Sequence, residues 1–275
     1  MGRVDGKVAL ITGAARGQGR SHAVRLAEEG ADVIAIDVAA QISTVPYPMA
    51  TMEDLEETAL LVNEAGRRCV VVRADVRDIH ALASGADRGA EELGGIDIVI
   101  ANAGILPFAP GPESLDEAAS SWTDAIGVML TGVFNTVRVT QERLISQGRG
   151  GSIVIISSTA GLKGAAGESG GIAGYTAAKH GVVGLMRGYA KLLGPHSIRV
   201  NTVHPSAVAT PMIINEAFSA YSGNSESMSD LAGRLLPVSV LEARDVSDAV
   251  VWLVSDEAKF VSGITLPVDA GSTCP

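Results

Sequence analysis

Short runs of apolar, often β-branched residues alternate along the chain with longer stretches rich in Ala and Leu. Each short run is apolar at successive positions, which is typical of strands buried on both faces of a parallel sheet. The predicted strands are Val8–Ile11, Val33–Ile36, Cys69–Val72, Ile96–Ile100, Ile153–Ile156, Ile198–Val203 and Ile264–Val268. The predicted helices are Gly19–Glu29, Met52–Ala65, His80–Leu93, Glu117–Ser146, Gly174–Leu193 and Asp245–Ser255. This alternation predicts a single α/β domain over residues 1–275, with a doubly wound, seven-stranded parallel sheet and helices on both faces.

Two segments interrupt the alternation. The insert 39–52 follows the second predicted strand and contains Pro46 and Pro48, and the segment 205–237 follows the sixth and has a polar tip, Ser222–Ser229. Right-handed crossovers bring the carboxyl ends of parallel strands to one edge of the sheet, where ligands bind. Long segments at such an edge are commonly functional. We therefore expect 205–237 to be a substrate loop.

The first strand runs into a glycine-rich loop, Thr12–Gly19, which opens the first helix. Glycine allows close approach of a pyrophosphate, and the helix N-terminus favours an anion. In its strand–loop–helix context this pattern predicts a Rossmann-type dinucleotide site. The alternative is a glycine-rich turn that binds no ligand.

Asp37 ends the second predicted strand, where a carboxylate can accept hydrogen bonds from both ribose hydroxyls and repels a 2′-phosphate. Arg16 in the glycine loop points the other way, because a cation there could serve a phosphate. A carboxylate beside a phosphate costs more than one flexible cation recovers, so the sequence favours NAD over NADP.

Tyr175 and Lys179 stand four residues apart at the start of a predicted helix, which puts them on one face. A lysine ammonium and a positive nicotinamide ring would lower the pKa of the tyrosine toward that of a useful base. Ser158, at the end of the fifth predicted strand, could hydrogen-bond a substrate oxygen. An isolated pair of this spacing is commonly a surface feature, but Ser158 at the ligand edge favours a catalytic site.

Composition narrows the classes of function. The net charge of −10 disfavours nucleic-acid binding. Two cysteines and no apolar run near the roughly 18 residues of a membrane span predict a cytoplasmic protein without membrane attachment. The five histidines show no metal-ligand spacing, so no metal is expected. His22 and His204 are interpreted as packed side chains, with a role at the cofactor or substrate as the less favoured alternative.

Taken together, these motifs resemble the short-chain dehydrogenase/reductase family along nearly the whole chain. The matching segments are Thr12–Gly19, Asp75-Val76, Ala101–Gly104, Ser158, Tyr175–Lys179 and Pro205–Thr210. The resemblance implies that Ser158, Tyr175 and Lys179 are catalytic, and that subunits pair through the two long central helices into a homo-oligomer, with a tetramer favoured. It also completes the predicted cofactor-binding set: Gly13, Arg16, Gly17, Gln18, Gly19, Asp37, Asp75, Val76, Asn102, Ala103, Gly104, Tyr175, Lys179, Val208 and Thr210. In that set the resemblance assigns Asp75 and Val76 to the adenine, and Val208 and Thr210 to the carboxamide.

A narrower resemblance concerns Gly6–His22 and the insert around Thr44–Pro48. Both look like the mycofactocin-coupled, carveol-dehydrogenase-like branch of the family. That resemblance implies that NAD is held without exchange, with the insert covering its adenosine half, and that a separate redox partner recycles it.

One departure from the family pattern lies in the predicted central helix. In Val128–Phe134, Met129 occupies the place of an asparagine that the family assigns to a water-linked proton relay from the lysine. A thioether cannot donate a hydrogen bond and accepts only weakly. Either water and backbone carbonyls carry the relay alone, or proton transfer is slower. Asn135 faces another side of the helix and is not expected to substitute.

The sequence thus predicts an oxidoreductase that moves hydride between NAD(H) and a secondary alcohol or ketone. The apolar residues from Met212 to Leu236 favour a hydrophobic, terpenoid-like substrate. One alternative is a catalytically silent NAD-binding sensor or scaffold. Another is an epimerase or dehydratase on the same fold, which would leave bound NAD unchanged overall.

Overall fold

The chain folds around one parallel sheet, which the computed structural model describes over residues 2–109, 111–165, 167–223 and 234–274. Seven strands lie in the order β3-β2-β1-β4-β5-β6-β7, as in a doubly wound sheet, and this confirms the predicted fold class. The strands are β1 (Val8–Thr12), β2 (Asp32–Asp37), β3 (Cys69–Arg73), β4 (Ile98–Ala101), β5 (Gly151–Ile156), β6 (Ile198–Pro205) and β7 (Thr265–Val268).

Helices cover both faces of the sheet. On one face, α1, α2 and α9 pack together, and on the other α3 packs on α5 while α4 packs on α7. The helices are α1 (Gly17–Glu28), α2 (Met52–Glu64), α3 (Ile79–Leu93), α4 (Leu115–Ile126), α5 (Gly132–Gln147), α6 (Ala160–Lys163), α7 (Gly170–Leu193), α8 (Glu216–Gly223) and α9 (Ala243–Val254). Every residue of β1 and β4 is buried between these two layers, which explains why their sequences show no alternation.

The predicted helix Glu117–Ser146 is longer at both ends and is not uniform. It begins at Leu115, because the Ser114 side chain and Glu117 form a capping box at its N-terminus. A π-helical turn, Gly127–Thr131, separates α4 from α5. Such turns are rare and are frequent at functional sites. Among the shifted element ends, the fourth strand starts at Ile98 instead of Ile96, and the sixth continues to Pro205. The short helices α6 and α8 were not predicted.

The segment 205–237 contains one helix, α8, in its described part. Most of its predicted polar tip, from Asn224 onward, lies outside the described residues. Phe218 and Tyr221 of α8 pack on the core beside the carboxyl ends of the strands.

Candidate active site

The loops after β1 and β4 touch each other and form the floor of a cleft. Gly13 has a φ of +68°, and a Cβ on it would lie 2.8 Å from the Cα of Ala103. The side-chain amide of Asn102 donates to the carbonyls of Thr12 and Gly13, at 3.0 and 3.1 Å. Asn102 therefore supports the cleft by joining the two loops.

Side chains of α1 and α2 hold the backbone of the glycine loop in place. The Thr58 hydroxyl lies 3.0 Å from the carbonyl oxygen of Ala14, and the guanidinium of Arg20 donates to the carbonyl of Ala15 at 2.7 Å. Arg20 also forms a 2.7 Å ion pair with Glu57 of α2. Sequence reasoning missed this support, because the partners are far apart in the chain and each is ordinary in its own helix.

The N-terminus of α1 fits an anionic ligand. Within the described residues, no side chain caps this helix end and its first turn holds no acidic residue. Buried Gln18 Oε1 has no hydrogen-bond partner among those residues. Buried polar atoms are nearly always paired, so Gln18 is suited to a ligand in the cleft. Free helix amides and this side chain together fit the pyrophosphate of a dinucleotide.

Asp37 and Arg16 lie beside this loop. The Asp37 carboxylate accepts hydrogen bonds from the backbone N–H groups of Ala15 and Ala39, both at 3.0 Å. Burial raises the pKa of Asp37, while these backbone hydrogen bonds and Arg16 oppose the rise. The Arg16 guanidinium donates to the carbonyl of Pro48 at 2.6 Å. Arg16 is thus engaged with the insert, which weakens its case as a ligand of a 2′-phosphate.

The insert folds against the open side of the cleft and is organised by Gln41. The Gln41 amide group donates to the carbonyls of Ile42, Val45 and Tyr47 at 3.0 to 3.3 Å. Its Oε1 accepts from the backbone N–H of Met49 at 3.0 Å. One side chain therefore closes the insert into a compact loop.

Asp124 of α4 ties the insert to the opposite wall of the cleft. One of its carboxylate oxygens lies 2.7 Å from the Thr44 hydroxyl, and the other lies 2.7 Å from the Arg77 guanidinium. Arg77 in turn forms a 2.7 Å ion pair with Asp75, a residue predicted to flank the adenine. The insert is therefore attached on two sides.

Ser158, Tyr175 and Lys179 meet at the inner end of the cleft. Helix α7 begins at Gly170 instead of the predicted Gly174, because the Ser169 side chain accepts from the N–H of Ile172 at 3.1 Å and caps it. The Ser158 side chain is near enough to Tyr175 to act on the pKa of its phenol. Lys179 Nζ lies 5.5 Å from the centre of the Tyr175 ring.

Burial sets the protonation of the pair. It lowers the pKa of Lys179 to about 8 and raises the pKa of Tyr175, with the Ser158 side chain opposing that rise. Desolvation thus disfavours the phenolate more than its neighbours in the protein favour it. The predicted lowering of the tyrosine pKa includes a bound, positively charged nicotinamide ring, and it stays a prediction. Lys179 Nζ donates to the carbonyl of Ile156 at 2.8 Å, so its closest partner is backbone.

The structure brings nearly all the predicted residues to one cleft. Its lining includes these predicted residues: Gly13, Arg16, Gly17, Gln18, Gly19, Asp37, Asp75, Val76, Asn102, Ala103, Gly104, Tyr175, Lys179 and Thr210. Ser158 and Val208 lie just outside that lining. Val208 is 5% exposed and pairs with Leu241 through the backbone, so a side-chain role at the carboxamide stays a prediction.

Four residues of the insert also line the cleft, namely Ile42, Tyr47, Met49 and Ala50. The Tyr47 hydroxyl accepts from the backbone N–H of Leu106 at 3.1 Å, and burial raises the pKa of Tyr47 to about 12. The Tyr47 ring stacks on Phe108 with centroids 6.2 Å apart, and Phe108 contacts Tyr221 at 4.8 Å. The insert is thereby joined to helix α8 through aromatic rings, which the sequence did not predict.

Met129 has no exposed surface and lies in the π-helical turn. Its Sδ is 3.8 Å from the position that a Cβ on Gly104 would take. The side chain therefore packs behind the loop after β4 and supports the cleft from below. Asn135 donates to the carbonyl of Val76 at 2.8 Å, so it is engaged away from Lys179, as expected.

Two features are absent from the described part of the chain. No group of three or more His, Cys, Asp or Glu side chains there is arranged to hold a metal ion. No helix there combines the length and the apolar character needed to cross a membrane.

Comparisons with known proteins agree with this geometry. A family model described as enoyl-(acyl carrier protein) reductase matches residues 13–273. The chain is 47% identical to (-)-trans-carveol dehydrogenase of Rhodococcus erythropolis over 99% of both chains. It is also similar to the crystal structure of a carveol dehydrogenase from Mycobacterium avium in complex with NAD, with 47% identity, a TM-score of 0.90 and full coverage of both chains. A short-chain dehydrogenase from Mycobacterium paratuberculosis bound to NAD is 45% identical, with a TM-score of 0.90 over 99% of both chains.

The chain therefore belongs to the short-chain dehydrogenase/reductase family, and its relatives include carveol dehydrogenases. The predicted class of enzyme, an NAD-dependent oxidoreductase, is confirmed.

Proposed function

We propose that this protein transfers hydride between NAD(H) and a hydrophobic secondary alcohol or ketone, with Ser158, Tyr175 and Lys179 as its catalytic residues. The observation that carries the proposal is the convergence of three side chains at the glycine-loop cleft: Lys179 Nζ lies 5.5 Å from the centre of the Tyr175 ring, and Ser158 is near enough to Tyr175 to oppose the rise in its pKa. The carveol dehydrogenase relatives support a cyclic, terpenoid-like substrate.

The proposed chemistry of alcohol oxidation needs one base and one hydrogen-bond donor. Tyr175 accepts the proton of the substrate hydroxyl, and the Ser158 hydroxyl holds the substrate oxygen as its charge changes. When bound, NAD supplies the hydride acceptor, and its positive nicotinamide ring favours the tyrosine phenolate. Ketone reduction runs through the same contacts, with Tyr175 as the proton donor.

Lys179 has two proposed roles. Its ammonium group holds the nicotinamide ribose and favours the charged form of Tyr175. The hydrogen bond from Lys179 to the carbonyl of Ile156 supports a relay that leaves the site through backbone oxygens and water. Such a relay does not need a donor at position 129, where the thioether of Met129 can give none.

The substrate is proposed to lie between the catalytic residues and an apolar wall. Tyr47, Ile105 and Met212 line the cleft near Tyr175, and Phe108 with Phe218 extends the wall behind them. Such a wall offers few hydrogen bonds, so it favours a substrate recognised by shape and apolar area.

The insert is proposed to retain NAD through successive turnovers. Its attachment to Arg16 on one side and to Asp124 on the other supports this role, because release of the adenosine half would require these contacts to break. A retained cofactor needs reoxidation in place, which is the proposed task of a mycofactocin-type redox partner.

We further propose a homo-oligomer, with a tetramer favoured, and a cytoplasmic location. The oligomer is supported by apolar side chains exposed on the central helices, including Trp122 of α4 and Phe134 of α5. The location is supported by Cys69 and Cys274, which are both free thiols.

The test is a single-turnover assay, which needs no recycling partner. Protein carrying its NAD is mixed with a panel of cyclic secondary alcohols that includes carveol, and NADH absorbance is followed. Tyr175→Phe should slow NADH formation by roughly 10²- to 10⁴-fold, because the substrate proton loses its acceptor. NAD content should be unchanged.

Tyr189→Phe, on the same helix and half-buried outside the cleft, is the matched control and should keep the full rate. Absence of NADH formation by the unaltered protein with every alcohol would favour the silent scaffold. Turnover of substrate without net NADH would favour an epimerase or dehydratase. An unchanged rate in Tyr175→Phe would show that Tyr175 is not the catalytic base.

A further inference from the structure

His204 lies directly behind the candidate catalytic serine but does not reach the cleft. It has no exposed surface and is the last residue but one of β6. Beyond the paired part of β5 the chain still follows β6, since Ser157 N–H donates to the carbonyl of Val203 at 2.8 Å and Thr159 N–H to that of Pro205 at 3.0 Å. Ser158 is therefore held between two backbone contacts to the strand that carries His204.

Both ring nitrogens of His204 are paired. Nδ1 lies 2.8 Å from the backbone carbonyl oxygen of Ser158, and Nε2 lies 2.8 Å from the hydroxyl of Thr202. A carbonyl oxygen can only accept, so Nδ1 carries the hydrogen. Nε2 of the neutral ring then accepts from the Thr202 hydroxyl, which selects this tautomer. Burial lowers the pKa of His204, consistent with a neutral ring.

The Ser158 carbonyl accepts a second hydrogen bond, from the Gly161 N–H at 2.9 Å. The donor from α6 and the donor from β6 approach the same oxygen, so together they set the orientation of the peptide that follows Ser158. The Ser158 hydroxyl also accepts from the N–H of Ala160 at 3.1 Å, which fixes its rotamer relative to that peptide.

We propose that His204 is a positioning residue that holds Ser158 in the orientation needed to meet Tyr175 and the substrate oxygen, with Thr202 selecting the ring tautomer. This inference rests on the proposed role of Ser158. It assigns to His204 neither substrate contact nor proton transfer. Small displacements of a group that meets the reacting atoms can cost a large factor in rate, whereas binding of NAD at the other end of the cleft should be untouched.

The experiment is a double-mutant cycle measured by single turnover. His204→Leu removes both hydrogen bonds and should slow NADH formation by roughly 10- to 100-fold, with NAD content and the substrate concentration at half-saturation unchanged. His204→Asn keeps a donor near the Nδ1 position and should recover most of the rate. His196→Leu, an exposed histidine before β6, is the matched control and should change nothing.

The decisive arm uses the Ser158→Ala background. If His204 acts through Ser158, His204→Leu should slow that variant by less than about twofold, because the group it positions is already absent. Equal losses in both backgrounds would mean a general structural role and would overturn the proposal. If Ser158→Ala itself leaves the rate unchanged, the assignment of Ser158 fails first, and with it the proposed function.

A second pair of variants, at Thr202, tests the proposal even if the His204→Leu protein does not fold. Thr202→Val removes the hydroxyl that selects the tautomer and should lower the rate in the same direction by a smaller factor. Thr202→Ser keeps the hydroxyl and should not. If Thr202→Val retains the full rate, as Thr202→Ser should, the tautomer that Thr202 selects does not affect the reaction and His204 does not position Ser158.

Discussion

His22 shows how a single side chain can depend on the layer that covers it. It lies in α1 with no exposed surface, and its Nδ1 is 2.8 Å from the hydroxyl of Ser247 on α9. Nε2 has no partner in the described part of the chain. Burial lowers the pKa of His22 to about 3. The interpretation of His22 as a packed residue fits this environment.

This burial predicts a loss of stability in acid. Between pH 6.5 and about 3 the unfolded chain binds a proton at His22 and the folded chain does not. The free energy of unfolding should therefore fall as the pH falls through this window, by about 3 kcal/mol at pH 4 from this group alone. Denaturant unfolding of the unaltered protein and of His22→Gln, at pH 7 and pH 4, measures the contribution.

His22→Gln should lose less stability than the unaltered protein between the two pH values, although it starts lower at pH 7. His80→Gln, an exposed histidine at the start of α3, should keep the full pH dependence. An identical dependence in His22→Gln would show that other groups cause the acid loss.

At the scale of elements, the insert is the feature that sets this cleft apart. It has no helix or strand of its own, and its shape depends on the four hydrogen bonds of Gln41. The Tyr47 ring of the insert packs on Phe108, and Phe108 contacts Tyr221 of α8. The proposed cofactor cover and the proposed substrate wall are thus parts of one packed unit.

Gln41→Ala should loosen this unit. Loss of these contacts should raise the dissociation rate of NAD on the order of 10- to 100-fold, since each hydrogen bond contributes about 1 kcal/mol and part of the loss is recovered by water. The rate of the single-turnover reaction should hold, because Gln41 does not touch the catalytic residues. Loss of bound NAD during repeated dilution and filtration measures the change.

Ser43→Ala, exposed in the same insert, is the matched control and should retain NAD like the unaltered protein. If Gln41→Ala also retains NAD fully, the insert does not hold the cofactor.

The sequence predicted best what depends on neighbours along the chain. Asp37 ends β2, Gly13 directly follows β1 and Ser158 lies two residues after β5, and parallel topology alone brings strand ends to one edge. The sequence did not predict the contacts between residues that are far apart along the chain. The contact between Thr58 and the glycine loop joins residues 44 positions apart, and that between His204 and Ser158 joins residues 46 apart. The π-helical turn at Met129 was missed because Val128–Thr131 has an ordinary helical composition.

At the scale of the whole molecule, the central helices carry apolar surface that the single chain leaves in contact with solvent. Trp122 of α4, Phe134 of α5 and Leu192 of α7 are 43%, 42% and 59% exposed. A Cβ on Gly184 or Gly188 of α7 would meet no atom of the described part of the chain within 4 Å. Exposed apolar side chains next to bare glycine backbone suit close packing against another subunit.

Phe134→Glu should therefore shift the protein toward smaller assemblies, because a carboxylate would be buried without a partner in a subunit interface. Native mass spectrometry of the unaltered protein should show a tetramer that carries NAD, and the variant should show dimers or monomers. Leu60→Glu replaces a side chain of α2 that is 62% exposed and should leave the assembly intact. A monomeric unaltered protein would contradict the proposed oligomer.

The attachment of the insert on two sides has a consequence for the direction of the reaction. A nicotinamide that never leaves its subunit does not equilibrate with the NADH/NAD ratio of the cell. The ratio of alcohol to ketone would then depend on the reduction potential of the carrier that reoxidises the bound NADH. If NAD is retained as proposed, the reaction would not depend on the NAD pool of the cell but on a separate redox partner. The contacts that would retain it are those of Arg16 with Pro48 and of Thr44 with Asp124.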